Sequence, residues 1–266
     1  MLDVDFAQLS DPGRLRGNNE DYLGYVQPAT PQDARSRGWL FALADGVGGH
    51  DRGEVASHAA VEHLLSGFRA APIPEPLGTL LARLVRDANA HVYDLARKAG
   101  PGGSAMSTTI VACGLRYDRA VIAHAGDSRC YLVRDGQARL LTRDHTVAED
   151  QAGLGLLSAN EAAEASTRHV LSRSLGSNLF LNVETSEHQI FPDDVLALCC
   201  DGLHNSVSAS EIATLTGPSI HLGAAAQKLV ALANERDGGD NVSVQLVRIR
   251  SVERVGMYRG RLYKLR

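Results

Sequence analysis

This sequence predicts an α+β domain, and three observations carry that prediction. Apolar runs of strand type follow one another with tight turns between them. Two long segments of helical apolar period stand side by side near residues 51–98 instead of alternating with the strands. The chain has 266 residues, 44% hydrophobic and 22% charged, enough for one large domain or two small ones with ample core.

Residues 4–9 alternate as a first strand. Residues 11–21 then form a polar loop of turn residues, and Tyr22 to Gln27 resume as strand. Arg16 followed by Glu20 and Asp21 in that loop suits either a phosphate clamp beside an acidic metal site or a solvated turn. Residues 28–38 read as an irregular loop. Leu40 to Ala44 is a buried strand that delivers a lone carboxylate, Asp45, to the edge of a sheet. Gly46, Gly48 and Gly49 follow, and they allow close backbone approach to whatever Asp45 holds. A carboxylate ending an apolar strand needs a partner, for which a metal cation is one candidate; a turn aspartate is the other reading.

Asp51 to Glu54 has capping-box spacing, and the helix beyond it is expected to bury Val55, Ala59, Leu64, Leu65 and Phe68. His58 and His63 lack ligand spacing and read as surface or satisfied residues. The proline-rich stretch from Ala71 to Pro76 ends this helix. A second helix covers 77–98, its apolar stripe running from Leu77 through Leu81, Val85 and Val92 to Leu95. Strands follow at Thr108–Leu115, Ala120–Ala125, Cys130–Arg134 and Gln137–Thr142, with Asp135-Gly136 a hairpin signal. Asp127 sits at a junction between two of them. Residues 144–178 read as a flap of short helical pieces, with a capping box at Ser158 to Glu161. Leu181–Ile190 is strand. Val195 to Cys200 is a buried strand ending on Asp201-Gly202, a repeat of the Asp45-Gly46 arrangement. A short helix capped by Ser208 and a longer one over 220–236 lead to Asp240 and a last strand, Val242–Ile249. Residues 251–266 form a basic tail with Arg254, Arg259, Arg261, Lys264 and Arg266 against Glu253.

A net charge of −4 leaves no basic footprint for nucleic acid. No apolar run reaches the ~20 residues of a membrane span, and no secretory leader is apparent. Cys113, Cys130, Cys199 and Cys200 lie in apolar runs and read as buried reduced thiols, which with the rest points to the cytoplasm.

Asp45, Asp127, Asp201 and Asp240 each stand at a strand end or loop beside glycine or another small residue. An all-oxygen ligand set favours Mg²⁺ or Mn²⁺. Two such ions ~3.5–4 Å apart activate a bridging water for attack on phosphorus. The sequence at this point resembles the metal-dependent serine/threonine protein phosphatases of the 2C type, in their compact bacterial form. The motifs are Arg16-Gly17-Asn18-Asn19-Glu20-Asp21, Ala44-Asp45-Gly46-Val47-Gly48-Gly49, Ser107-Thr108-Thr109, His124-Ala125-Gly126-Asp127-Ser128-Arg129, Leu141-Thr142-Arg143-Asp144-His145-Thr146, Cys200-Asp201-Gly202-Leu203 and Gly239-Asp240-Asn241-Val242-Ser243. They occur in the family's order across about residues 5–249.

The resemblance implies a four-layer α-β-β-α sandwich of two antiparallel sheets flanked by helix pairs, with metals in a cleft between the sheets. It implies one catalytic domain over 1–250, with 144–178 as a flap that influences substrate choice. Asp45 would bridge two ions, with the Gly46 carbonyl as a further ligand. Asp201 and Asp240 would complete the first ion's shell, and Glu20 would act on the second through water. Asp127 with Asp201 would hold a weaker third ion, and Arg16 would bind the substrate phosphate. Substrates would be phosphoproteins of a bacterial serine/threonine kinase system, and the enzyme a monomer. A phosphatase for one dedicated phosphoprotein and a catalytically dead binding relative are the rivals; the presence of Arg16, Asp45, Asp201 and Asp240 argues against the second. The sequence departs from the pattern at Val47, where relatives carry histidine or methionine, at Ser107, where glycine is usual, and at His204-Asn205, where Thr-Asp is common. Val47 leaves the leaving-group acid open. His50 reads as structural, and water on a third ion held by Asp127 is the expected donor.

Overall fold

The computed structural model describes residues 1–47, 52–72, 75–100, 106–258 and 261–264. The elements in chain order are β1 (Asp3–Asp11), β2 (Asp21–Val26), α1 (Pro31–Ser36), β3 (Trp39–Val47), α2 (Gly53–Ala70), α3 (Leu77–Lys98), β4 (Ser107–Thr108), β5 (Ile110–Arg116), β6 (Arg119–Ala125), β7 (Arg129–Arg134), β8 (Gln137–Leu140), α4 (Val147–Gly153), α5 (Ala159–Glu164), β9 (Glu184–Gln189), β10 (Val195–Cys199), α6 (Asp201–His204), α7 (Ala209–Leu215), α8 (Leu222–Arg236), β11 (Val242–Ser251), β12 (Val255–Tyr258) and β13 (Arg261–Lys264). One antiparallel sheet has the order β1-β11-β10-β7-β8, and the other β2-β3-β5-β6-β9 with β4 added to β3.

The central strands are apolar throughout because both their faces are covered. Along β3, Trp39, Phe41 and Leu43 face the other sheet and meet Leu196, Leu198 and Val247. Leu40, Ala42 and Ala44 point the other way, into α2 and α3, against Val61, Leu64, Phe68, Leu81 and Val85. β10 alternates likewise: Leu196 and Leu198 face the sheet interface, while Val195, Ala197 and Cys199 pack against Leu203, Ile212 and Leu229 of the second helical layer. Three apolar seams between four layers result, each fully buried leucine contributing ~1.5–3 kcal/mol. This is the four-layer sandwich that the resemblance implied. All four cysteines are buried and unpaired. No helix among the described residues is long and apolar enough to cross a membrane.

The structure corrects two local expectations. Residues 28–38 are not wholly irregular, because Thr30 caps α1 by accepting from the Asp33 N–H at 3.1 Å and Pro31 sits in its first turn. Arg35 of that helix pairs with Glu253 at 2.9 Å. Along α2, Leu64, Leu65 and Phe68 are buried as expected, but in the first turns Ala56, Ala60 and Val61 are inside, while Val55 is 41% exposed and Ala59 only partly covered. Gly24 leaves room for this face, since Val61 and Leu65 occupy the space a Cβ there would take, each 2.7 Å from it. The expected Asp51 cap, with Gly48, Gly49 and His50, lies outside the described residues; α2 begins at Gly53, and Arg52 before it makes no side-chain cap. Elsewhere α3 spans the expected residues, and Asp135 and Gly136 adopt the positive φ of a tight hairpin (50° and 74°). Where the sequence showed only a basic tail, β12 and β13 pair as a hairpin.

Candidate active site

Asp45 lies near the end of β3, and neighbouring hydroxyls fix its backbone. Its N–H donates to Thr109 Oγ1 at 3.0 Å, and its carbonyl accepts from Thr108 Oγ1 and from the Thr109 N–H, both at 2.8 Å. That is the physical content of the Ser107-Thr108-Thr109 motif. Antiparallel register places Asp21 of β2 opposite Asp45. Gly46 permits the next step, because a Cβ there would lie 2.4 Å from the Gly53 carbonyl oxygen and 2.7 Å from that of Glu20.

Asn241 joins the Arg16–Glu20 loop to the start of β11. Its Nδ2 donates to the Pro12 and Asn18 carbonyls at 2.9 and 3.0 Å, and its Oδ1 accepts from the Glu20 N–H at 2.8 Å. Glu20 and Arg16 thereby arrive beside Asp240. Arg16 grips Asp240 with Nε and Nη2, both at 3.1 Å. Asp201 starts α6, and Asp127 sits in the β6–β7 turn, where its carbonyl accepts from His204 Nε2 at 3.0 Å.

A cleft of about 260 Å³ gathers these groups: Glu20, Asp45, Gly46, Asp127, Asp201 and Asp240 line it with Arg16 and Val47, and His169 and Leu171 of the flap complete it. Every sequence-predicted site residue therefore lines one cleft. A roomier cavity of about 500 Å³ between the β7–β8 turn and α7 has its buried carboxylate, Asp194, already paired with Arg134 at 2.6 Å, so the chemistry favours the smaller cleft.

Among the residues lining the cleft, Arg16 is the one fixed positive charge, and the carboxylates show the imbalance. Burial, then the charges of Asp21, Asp201, Asp127 and Asp240, push Asp45 well above the usual carboxylate range. Burial and Asp201 push Asp127 up to about 7. Asp201 is raised by burial and Asp240, with the charge of His169 acting against the rise. Glu20 is raised by burial and Glu54. Sequence reasoning raised Asp21 only as half of a loop carboxylate pair with Glu20 and gave it no role of its own. It is buried and pushed up to about 7, chiefly by desolvation, and neither of its carboxylate oxygens has a hydrogen-bond partner among the described residues. Its signal was its place next to Glu20, but only the register with Asp45 reveals its role.

Asp21, Asp45 and Cys200 bring ligand-type atoms within 4.8 Å of one another. Cys200 accepts the Ser243 N–H at 3.1 Å, and burial holds its thiol protonated, so the donors offered are oxygens. Orphaned buried oxygens and crowded acids without counter-charge fit hard divalent cations. His124, His145 and Glu184 form a second close group. There His124 Nε2 meets the Arg143 carbonyl at 2.8 Å and His145 Nδ1 accepts the Gly126 N–H at 3.2 Å, so these imidazoles brace the turn carrying Asp127.

The sequence model of the family described as protein phosphatase 2C matches residues 18–234. The chain belongs to the protein phosphatase 2C family. Among similar proteins of this family, a serine/threonine phosphatase of Listeria innocua is 32% identical over 255 residues, 95% of this chain and 96% of its own. The structure of the S. agalactiae serine/threonine phosphatase superposes with a TM-score of 0.82 at 30% identity, covering 93% of this chain and all (100%) of that one. The catalytic domain of the phosphatase PstP, solved in complex with 2 manganese ions, gives a TM-score of 0.79 at 30% identity over 94% of this chain and 100% of its own.

Proposed function

We propose that this protein phosphatase 2C member hydrolyses phosphoserine and phosphothreonine in proteins, with two Mn²⁺ or Mg²⁺ ions held by its cleft carboxylates. The convergence of Glu20, Asp45, Asp127, Asp201 and Asp240 on one cleft with a single fixed positive charge carries this reading. Asp45 would bridge the pair with the Gly46 carbonyl beside it. Asp201 and Asp240 would hold one ion, Glu20 would reach the other through water, and Asp127 with Asp201 would hold a weaker third. When bound, such ions supply a water nucleophile at neutral pH and positive charge against the phosphoryl oxygens.

The chain's own residues do the rest. Thr108 and Thr109 hold the Asp45 backbone, so its carboxylate direction is set before any ligand arrives. Asp21 sets a second buried carboxyl opposite Asp45 across the β2–β3 pair. Arg16 is half-exposed and turns a planar fork toward the cleft. Its present partner is Asp240; with that carboxylate neutralised, the fork suits two phosphate oxygens. Relatives named as serine/threonine phosphatases support phosphoprotein substrates, and a role opposing a bacterial serine/threonine kinase follows from that substrate class. The test is hydrolysis of p-nitrophenyl phosphate and of a phosphothreonine peptide. Activity vanishes with EDTA and returns with Mn²⁺ or Mg²⁺; full activity in a metal-free preparation refutes the reading.

A further inference from the structure

We propose that His169 of the flap is the general acid that protonates the departing seryl or threonyl oxygen, an inference that rests on the phosphatase reading above. Cleavage of a phosphoserine ester expels an alkoxide, which is strongly basic and needs a proton as the bond to phosphorus breaks. Val47, at the cleft end of β3, has none to give. Arg16 keeps its protons, and carboxylates engaged with cations carry none. His169 is the imidazole among the described residues lining the cleft, and it also lines the adjoining groove beside Asp127, Asp144 and His204. It is exposed and has no hydrogen-bond or ion-pair partner among the described residues. A group that must meet substrate has to be free in this way. Its backbone is nonetheless anchored: the Val147 N–H donates to the Val170 carbonyl at 2.8 Å, the Ser172 N–H donates to the His145 carbonyl at 2.9 Å, and Leu171 bridges to Thr146. The flap thus brings His169 to the cleft that Arg16, Asp127 and Asp201 also line.

The step balances simply. A water oxygen bonds to phosphorus, the bond from phosphorus to the seryl oxygen breaks with its electron pair on oxygen, and a proton passes from the imidazolium N–H to that oxygen. One water proton remains on the phosphate, the other leaves to solvent, and solvent reprotonates the imidazole.

The experiment compares His169→Gln and His169→Ala with wild type, all loaded with Mn²⁺, on a phosphoserine peptide and on p-nitrophenyl phosphate. The phenolate of the second leaves without much help. Peptide turnover falls by on the order of 10²-fold or more in both variants, and p-nitrophenyl phosphate turnover falls far less. Gln keeps a hydrogen-bonding amide but transfers no proton, so it does not rescue. Affinity for the matching non-hydrolysable phosphonate peptide, read by fluorescence anisotropy, stays within a few-fold of wild type. Equal losses on both substrates, a fall in phosphonate affinity that matches the kinetic loss, or no loss at all overturns the assignment. A peptide-selective defect in Asp127→Ala with none in His169→Ala overturns it too, in favour of water on the third ion. Wild type inert on both substrates with Mn²⁺ strikes the phosphatase reading instead, so the two failures are told apart.

Discussion

The floor of the cleft and the flap above it are built in opposite ways. On the floor, Asp45, Glu20 and Asp127 of the acidic cleft stand on backbone held by other elements: Asp45 by Thr108 and Thr109, Glu20 by Asn241, Asp127 through Gly126 and His204. The flap carries short helices, α4 and α5; an isolated bridge at Thr146–Leu171 closes it on itself, and one at Thr108–Leu175 joins it to the body. It leaves Leu154 76% exposed, and Phe180 beyond its end is 89% exposed. The same local device shows the contrast. Ser158–Glu161 and Ser208–Glu211 both form capping boxes, but Glu211 is also held by Arg236 of α8, while Glu161 bonds only within its own box. Parts with few buried contacts open at low free energy, and parts with many open only with the whole fold. Fixed geometry therefore sits on the floor, and freedom to move sits on the flap.

Removing a floor carboxylate gives the largest effect. Asp45→Asn is expected to cut kcat by on the order of 10³-fold, about 4 kcal/mol, through lost cation binding, while circular dichroism remains native. Retained activity would free Asp45 from its assigned place. Arg16→Ala comes next, with kcat/KM down on the order of 10²-fold for loss of a charge-assisted two-pronged contact, and Arg16→Lys restoring it only in part. Unchanged kinetics would return that loop to a solvated turn. Asn241→Ala probes the floor's scaffold: losing its three bonds is expected to cost about 2 kcal/mol of stability in denaturant unfolding, with a poorly held Glu20. A neutral result would show that the floor is not held from behind.

The smallest effect separates the two regions by pH. Glu161 is held below the ordinary carboxylate value of 4.5 by the Ser158 N–H and hydroxyl. Glu211 is held down to about 2, chiefly by Arg236. A depressed folded pKa means the cap's stabilisation is complete above 4.5 and fades as pH falls through the folded value. Between 4.5 and about 2, amide exchange should quicken in α5 first while α7 stays protected. Simultaneous loss in both helices would show that the flap has no independent stability.

Much of this was legible in the sequence where one residue type answers one local demand. Asp45-Gly46 and Asp201-Gly202 end apolar runs, and α3 follows its period from end to end. What stayed hidden depends on distant partners. α1 is only six residues long and docks through Arg35 onto Glu253, 218 positions away. Val61 on the inward face of α2 packs where Gly24 of β2 has no side chain, a fit between two elements. Asp21 looks like any polar loop residue until strand register sets it against Asp45. His169 carries no local signal, because its meaning comes from what the flap covers.

The pairing of β1 with β11, from Asp3 beside Ser251 to Asp11 beside Val242, has a consequence for synthesis. β1 must wait for β11 to be made, and contacts this far apart in sequence form slowly. The other sheet needs only residues 21–189 and can assemble while translation continues. Asn241 ties down the Arg16–Glu20 loop across 221 positions, so that loop is drawn into the cleft only after nearly the whole chain exists. A nascent or truncated chain would already have its first helical layer and one sheet, yet no working cleft. The protein becomes able to erase phosphate marks only once β11 has been made.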